Sequence, residues 1–292
     1  MSVYNGEANL VQAMQSILGQ TFTDFEFIVV DDGSADRSLS ILQTFAKNDR
    51  RVKVISRANT GIAGALNDAI AAARGEFFAR MDADDVAMST RFEKQVAYLK
   101  ANPNCVLLGS KVVLIEPYGT PIYETQPQME DEKIVDEMLK GNGWAVVHPS
   151  AMMRADAVRA IGGYRADRVP IEDLDLFLRL TETGQVANLA EPLLKYRQHL
   201  ESTNHTRFSE QEEKKRACVA EAYAKRGASI PANWALPPRK QMTAAAELSQ
   251  WAWIALRHKN ISAARRHALS VMKLAPLALP SWRLMFCAMR GR

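Results

Sequence analysis

The sequence predicts a doubly wound α/β domain with a mainly parallel sheet, followed by a helical extension. Helical and strand-length apolar patterns alternate up to about Asn102, the signature of βα units. Acidic clusters, Asp31-Asp32 and Asp82-Ala83-Asp84-Asp85, stand where two of the apolar runs end, which is where open α/β sheets bind ligands. Charge is also partitioned. From Lys214 to Arg292 there are 15 Lys and Arg against only Glu221 and Glu247, leaving 22 basic and 31 acidic residues elsewhere. Two such parts face different partners, or one faces a polyanion or an anionic membrane.

The elements follow in order. Leu10, Met14, Ile17 and Leu18 share a helical face. Residues 25–30 form an apolar run of strand length, ending in Asp31-Asp32-Gly33-Ser34. Leu39, Leu42 and Phe45 mark the next helix, and 52–55 a short strand. Ile62, Leu66 and Ile70 define a third helix, and 77–81 a third strand. Thr90 and Glu93 have capping-box spacing and open a helix that ends near Asn102. Beyond it, 106–115 reads as a strand, 117–128 as a loop, and 131–139 as a helix leading to the turn 141–144. Leu174, Phe177, Leu178 and Leu180 make an apolar helical face directly after Glu172-Asp173. Pro231, Pro237 and Pro238 divide two helical stretches near the end.

No apolar run is long enough to span a bilayer, and the first residues lack a basic-then-apolar pattern. Cys105, Cys218 and Cys287 are far apart and show no metal-ligand spacing, which fits a reducing cytoplasm. No nucleic-acid module is recognisable, so nucleic acid is not an expected partner.

Packing gives no reason to place three carboxylates within four residues at the end of a buried strand. Buried carboxylates need a cation or a strong set of donors. A hard divalent cation, with a phosphorylated ligand completing its shell, meets that need. A solvated acidic turn that caps the next helix fits the same residues.

An ordered set of motifs resembles the family 2 glycosyltransferases of GT-A fold over about the first 200 positions. It runs from Val3-Tyr4-Asn5-Gly6-Glu7 and Gln20-Thr21-Phe22 through Val29-Val30-Asp31-Asp32-Gly33-Ser34, Asn59-x-Gly61 and Asn67. Gly75-Glu76 precedes the acidic cluster; His148-Pro149, Gly162-Gly163-Tyr164-Arg165, Glu172-Asp173 and Tyr196-Arg197-x-His199 follow. The resemblance implies an inverting transferase of the kind that builds bacterial cell-surface polysaccharide. It would move a sugar from a nucleoside diphosphate, UDP above all, to a hydroxyl of a glycan or lipid-linked acceptor. It implies a glycosyltransferase domain over 1–207, with a nucleotide half to about 102 and an acceptor half to 207. A basic helical extension occupies 208–292.

The resemblance also distributes roles. Tyr4 would stack on the nucleobase, though a packing aromatic also fits. Asp32 would accept a pyrimidine N–H, though a turn residue also fits. Asn59, Gly61 and Asn67 would line the nucleotide site, or serve as a helix N-cap and ordinary polar positions. Asp82 would lie near the ribose and Asp84 would bind Mg²⁺ or Mn²⁺, both of which suit oxygen donors. Asp173 would be the base, kept ionised at a helix N-terminus. Glu172, Tyr164, Arg165 and His148 would shape the acceptor pocket, and His199 would close over the metal. The basic, Trp-containing end suits either a helical pair packed on the core or peripheral contact with the inner face of an anionic membrane.

Two rivals stand beside this reading. Residues 78–86 also satisfy the strand-then-D-x-D-x-V pattern of a haloacid-dehalogenase phosphatase, but that motif should open its fold. A non-catalytic or truncated nucleotide-sugar binder is the other. The family pattern has a buried strand running into the residues matched by Met1-Ser2-Val3-Tyr4, so the first strand is expected to be largely missing. Met1 is then expected to be an internal methionine or the start of a truncated gene, with a short apolar, β-branched run encoded upstream.

Overall fold

A computed structural model describes residues 1–198, 208–236 and 243–291. The chain forms two compact units, the larger built from Met1–Val112, Gln126–Leu194 and Ser209–Pro237, the smaller from Val113–Thr125, Lys195–Phe208 and Pro238–Arg292.

The larger unit opens with β1 (Ser2–Val3), α1 (Glu7–Leu18), β2 (Phe27–Asp31), α2 (Ser38–Asn48), β3 (Val52–Ser56) and α3 (Ile62–Ala72). β1, β2 and β3 form a three-stranded parallel sheet, with Val3 opposite Asp31 and Asp31 opposite Ser56. Every residue of β2 is buried, as a continuous apolar run in a parallel sheet requires. The run begins two residues later than the sequence suggests. Phe25 instead packs edge-on against Phe92, ring centroids 5.3 Å apart, beneath the Arg51 guanidinium. On α1 the buried residues are Leu10, Ala13, Met14 and Ile17, one face at helical spacing.

β4 (Phe77–Ala79), β5 (Val86–Ala87) and α4 (Arg91–Ala101) follow. The helix starts where Thr90 indicates, but Thr90 makes no side-chain cap bond. Glu93 accepts instead from the Thr21 hydroxyl at 2.6 Å, so the capping box is not formed. Next come β6 (Cys105–Ile115), β7 (Pro121–Glu124), α5 (Asp131–Leu139), β8 (Met152–Arg154), α6 (Ala155–Ala160), α7 (Glu172–Leu180) and β9 (Gln185–Arg197). β7 lies inside the segment read as a loop. It pairs antiparallel with β6, and β8 pairs antiparallel with both β4 and β6. The second sheet runs β4-β8-β6-β9-β5. The parallel part is therefore confined to β1, β2 and β3, and the second sheet makes the architecture a mixed one flanked by helices. A cavity of about 570 Å³ lies between the two sheets, lined by Phe27 and Ile28 of β2 and by β4 from Phe77 onward.

α7 is buried on nearly all sides. Leu174, Leu176, Phe177, Leu178 and Leu180 enter the main core, and Asp175 and Arg179 pair with each other at 2.8 Å. α8 (Phe208–Lys225) adds Cys218, Val219 and Ala222 to the same core. Its Glu221 binds Arg165 and Arg168 at 2.9 and 2.6 Å.

The smaller unit holds α9 (Ala244–Arg257), α10 (Ile261–Leu274) and α11 (Leu279–Arg290). They meet through Ala252, Ala255, Ala263, Ala264, Ala268 and Ala288, with Trp251, Leu284 and Ile122 of β7 filling the centre. Thr243 caps α9 by accepting from Ala246 N–H, and Asn260 caps α10 by accepting from Ala263 N–H. Each such cap is worth about 1 kcal/mol.

Candidate active site

The carboxyl ends of β1, β2 and β4 and the N-terminus of α7 carry most of the candidate residues. After β1, Tyr4 is 57% exposed and Asn5 takes left-handed backbone. The Asn5 side chain accepts from Ala35 N–H at 2.8 Å, and the Ser34 hydroxyl accepts from Asn5 N–H at 3.0 Å. These two bonds stitch the loop after β1 to the loop after β2. Asp32, almost fully buried, accepts from Thr60 N–H at 3.1 Å and Gly61 N–H at 2.8 Å. Arg57 Nε lies 3.4 Å from it. Asp32 thus shapes the loop that leads into α3. Asn59 is exposed there, and its side-chain oxygen also accepts from Gly61 N–H at 3.2 Å. Gly61 has φ +89°, and a Cβ at that position would meet open space. Positive φ strains any other residue, so the loop is held open by backbone chemistry.

The acidic turn after β4 is the centre. Carboxylate oxygens of Asp82, Asp84 and Asp85 lie within 4.8 Å of one another. Asp85 is buried, while Asp82 and Asp84 are half-buried. Arg80, buried at the end of the strand, forms an ion pair with Asp82. Burial raises the Asp82 carboxyl above its ordinary pKa and Arg80 opposes it, with the charge of Asp84 adding to the rise. Arg80 and the buried Arg91 face three carboxylates, which are oxygen-only donors. That set fits a hard divalent cation such as Mg²⁺ or Mn²⁺. A Cβ at Gly6 would sit 3.5 Å from the Ala83 methyl, so the loop bearing Tyr4 lies beside this turn.

Beneath the turn, Arg91 is fully buried. It donates to Arg80 C=O at 2.8 Å, to Ala151 C=O at 3.2 Å and to the Gln95 side chain at 3.0 Å. Gln95 in turn donates to Ser150 C=O at 2.8 Å. Burial, with Arg80 nearby and Asp85 opposing, lowers the Arg91 pKa to about 9. This lattice fixes the backbone from which Arg80 and the acidic turn project.

α7 begins at Glu172-Asp173, where the helix dipole favours negative charge. Glu172 is buried and its Oε2 has no hydrogen-bond partner among the described residues. Burial, then the neighbouring Asp173 charge, pushes its pKa up to about 7. Asp173 is half-buried and accepts from Leu174 N–H at 2.7 Å; burial raises it too. Facing them, the Tyr164 hydroxyl is 2.8 Å from His148 Nε2. Burial and the Arg80 charge hold His148 well below its usual pKa, so the ring is neutral. Burial likewise pushes the Tyr164 phenol up.

Asn67 positions this group. Its amide donates to Tyr164 C=O at 2.8 Å and accepts from Tyr164 N–H at 2.9 Å. Gly163 has φ +67°, and a Cβ there would stand 2.6 Å from the Asn67 oxygen. Only glycine fits against that clamp.

The structure therefore brings Asp82, Tyr164, His148, Glu172 and Asp173 around one buried cation, Arg80, whose charge acts on all five. Asp84 joins through the acidic turn. Tyr4, Asp32, Asn59 and Gly61 form the adjoining loops. Asn67 spends its amide on Tyr164, and Arg165 turns to Glu221 and Asp175. His199 lies outside the described residues. Sequence reasoning assigned no role to Arg80 or Arg91, and placed Asp85 only as a member of the acidic cluster. The available signal was Arg80 itself, a charge inside the apolar run Phe77-Phe78-Ala79-Arg80-Met81.

The model of the glycosyl transferase family 2 matches residues 1–162. EpsE of Bacillus subtilis (strain 168), named as a glycosyltransferase, is 34% identical over 214 residues, spanning 72% of this chain and 75% of that protein. The amylovoran biosynthesis glycosyltransferase AmsE of Erwinia amylovora is 30% identical over 211 residues, 71% of this chain and 78% of its own. Among solved structures, S. aureus TarS 1–349 in complex with UDP-GlcNAc aligns with TM-score 0.59 at 18% identity, over 99% of this chain and 88% of that one. The mannosyltransferase PcManGT of Pyrobaculum calidifontis, in complex with GDP-Man and Mn²⁺, aligns with TM-score 0.53 at 16% identity, over 99% and 78%. The structural likeness concerns the fold. The family model and the sequence identity, each extending over more than half of the chain, show that it belongs to glycosyl transferase family 2.

Proposed function

We propose that the protein transfers a sugar from a nucleoside diphosphate, with UDP the expected carrier, to a hydroxyl of a glycan or lipid-linked acceptor, inverting the anomeric carbon. The observation that carries the proposal is the acidic turn, whose three carboxylates converge within 4.8 Å beside Arg80. The solved complexes of TarS with UDP-GlcNAc and of PcManGT with GDP-Man and Mn²⁺ support a donor and a cation of these classes.

In this reading Tyr4 offers an open ring face to the base, and the loop of Asn59 and Gly61, shaped by Asp32, receives the rest of the nucleoside. Asp82 and Asp84 hold a divalent cation with Asp85 completing the acidic turn, Asp82 also facing the ribose. Held there, such a cation would offset the charge of the diphosphate leaving group. Asp173 takes the proton of the acceptor hydroxyl on the side opposite the leaving group. Glu172, about half protonated at neutral pH, donates a hydrogen bond to the acceptor in its protonated form. Neutral His148 and Tyr164 orient it without adding charge. A second reading, a binder without turnover, is disfavoured by the paired carboxylates of α7, which binding alone does not need.

Nucleotide release with UDP-, dTDP- and GDP-sugars, measured with Mg²⁺, Mn²⁺ or excess EDTA, tests the proposal. Asp84→Ala is expected to lower metal-dependent release by about 100-fold or more, the equivalent of losing several kcal/mol of charge stabilisation. Full turnover in EDTA would end the metal-dependent reading.

A further inference from the structure

The smaller unit carries a surface that the transfer chemistry does not use. α11 packs inward through Ser281, Leu284 and Ala288. Its opposite side presents Leu279, Trp282, Phe286 and Met289, between 57% and 81% exposed. Spacings of three, four and three residues align them as one stripe about 15 Å long. The preceding turn adds Leu277, 97% exposed, and Leu274 at the end of α10, 56% exposed. Trp282 Nε1–H donates to Pro276 C=O at 2.8 Å, which fixes the indole beside that turn.

Single exposed apolar residues are ordinary, but a contiguous stripe marks an interaction surface. Charge decides what covers it. Arg283 and Arg290 are exposed on the same side of the helix, and the Arg290 guanidinium lies 5.2 Å above the Phe286 ring. From Leu248 to Arg292 the sequence holds eight Lys and Arg and no Asp or Glu. A second copy meeting this face would bring arginine against arginine with no carboxylate to pair. An apolar stripe carrying aromatic rings, bordered by basic residues, complements the boundary between anionic headgroups and acyl chains.

We propose that α11 lies in the plane of an anionic bilayer, with Leu277, Leu279, Trp282, Phe286 and Met289 in the acyl boundary and Arg283 and Arg290 on lipid phosphates. The proposal stands on this face alone and does not depend on the sugar-transfer reading.

The full chain should be sedimented with vesicles of phosphatidylcholine alone and of phosphatidylcholine with phosphatidylglycerol, at low and high salt. Binding is expected to the anionic vesicles and to weaken at high salt. Leu279→Gln/Phe286→Gln should lower partitioning at least tenfold, while far-UV circular dichroism and the melting temperature stay unchanged. Arg283→Gln/Arg290→Gln should lower it roughly 25-fold on anionic vesicles only, at about fivefold per basic residue. Absence of binding to anionic vesicles, or binding that neither double variant weakens, overturns the proposal. So does a lipid-free dimer that Leu279→Gln/Phe286→Gln dissolves, which would assign the stripe to a contact between copies. Transfer activity with a soluble acceptor is measured in parallel, so that failure here and failure of the catalytic reading are told apart.

Discussion

Glu172 and Asp173 are adjacent in sequence and are assigned opposite duties, although burial raises the pKa of both. A base must be ionised to take a proton, whereas a buried acid with an unfilled oxygen is best kept protonated. Asp173→Asn keeps the shape but accepts no proton, so transfer is expected to fall by about 10²–10⁴-fold. Calorimetric affinity for UDP should stay within a few-fold; if affinity collapses while turnover persists, the base lies elsewhere. Glu172 makes a separate prediction about stability. Its pKa is about 7 in the folded protein against 4.5 ordinarily, so the folded form holds a proton that the unfolded chain has already released. Its contribution is fully present below pH 4.5 and is lost as pH rises through 7. For this buried group the loss is at most ~3 kcal/mol. Without metal or donor, Glu172→Gln should flatten the decline in melting temperature between pH 5 and 7.5. An unchanged slope would show that Glu172 is not the group responsible. The two carboxylates were legible as a pair in sequence, but the upward shift of both was not, because it comes from burial. Arg80 was overlooked for the same reason. Its importance arises from five side chains that converge on it from segments up to 93 residues away.

Among the elements, those with strong periodicity or a long apolar run came through the sequence reading well. α1, α5 and α7 lie where their patterns put them, and β2 begins two residues late. What stayed hidden depends on partners. β7 is four residues long, and its strand character comes from pairing with β6 rather than from composition. The capping box failed because Glu93 finds the Thr21 hydroxyl in a different loop. Asn67 offered no helical or turn signal for its clamp on Tyr164, a contact 97 residues away. The helices of the smaller unit illustrate a further limit. α9 and α10 approach through alanines that are wholly buried, so their spacing tolerates no extra volume. Ala264→Leu should destabilise the protein by ~1–3 kcal/mol through overpacking, visible as a lower melting temperature. A neutral result would mean that the helix interface can relax outward.

At the scale of the molecule, the charge partition read from sequence acquires an address. The acidic majority includes the Asp82–Asp85 turn of the larger unit, and six of the fifteen basic residues from Lys214 onward fall on α9 to α11. Composition showed that asymmetry but not the apolar stripe, which exists only once Ser281, Leu284 and Ala288 are known to face inward. The space between the sheets bears on how the protein behaves in routine assays. Phe22, Phe25, Phe77, Phe78, Phe92, Met152 and Met153 all line it. Such a chamber attracts environment-sensitive dyes of the anilinonaphthalene kind, whose brightening is the usual mark of a molten globule. The native protein is therefore expected to fluoresce with dye while keeping its near-UV circular dichroism and a cooperative melt. Because the dye would bind the folded form, it should raise the melting temperature rather than lower it. The comparison belongs in the Phe286→Gln background, where the stripe of α11 contributes less. Dye brightness on this protein would then measure an interior surface, and a stability screen scored on that brightness would discard well-folded variants as misfolded.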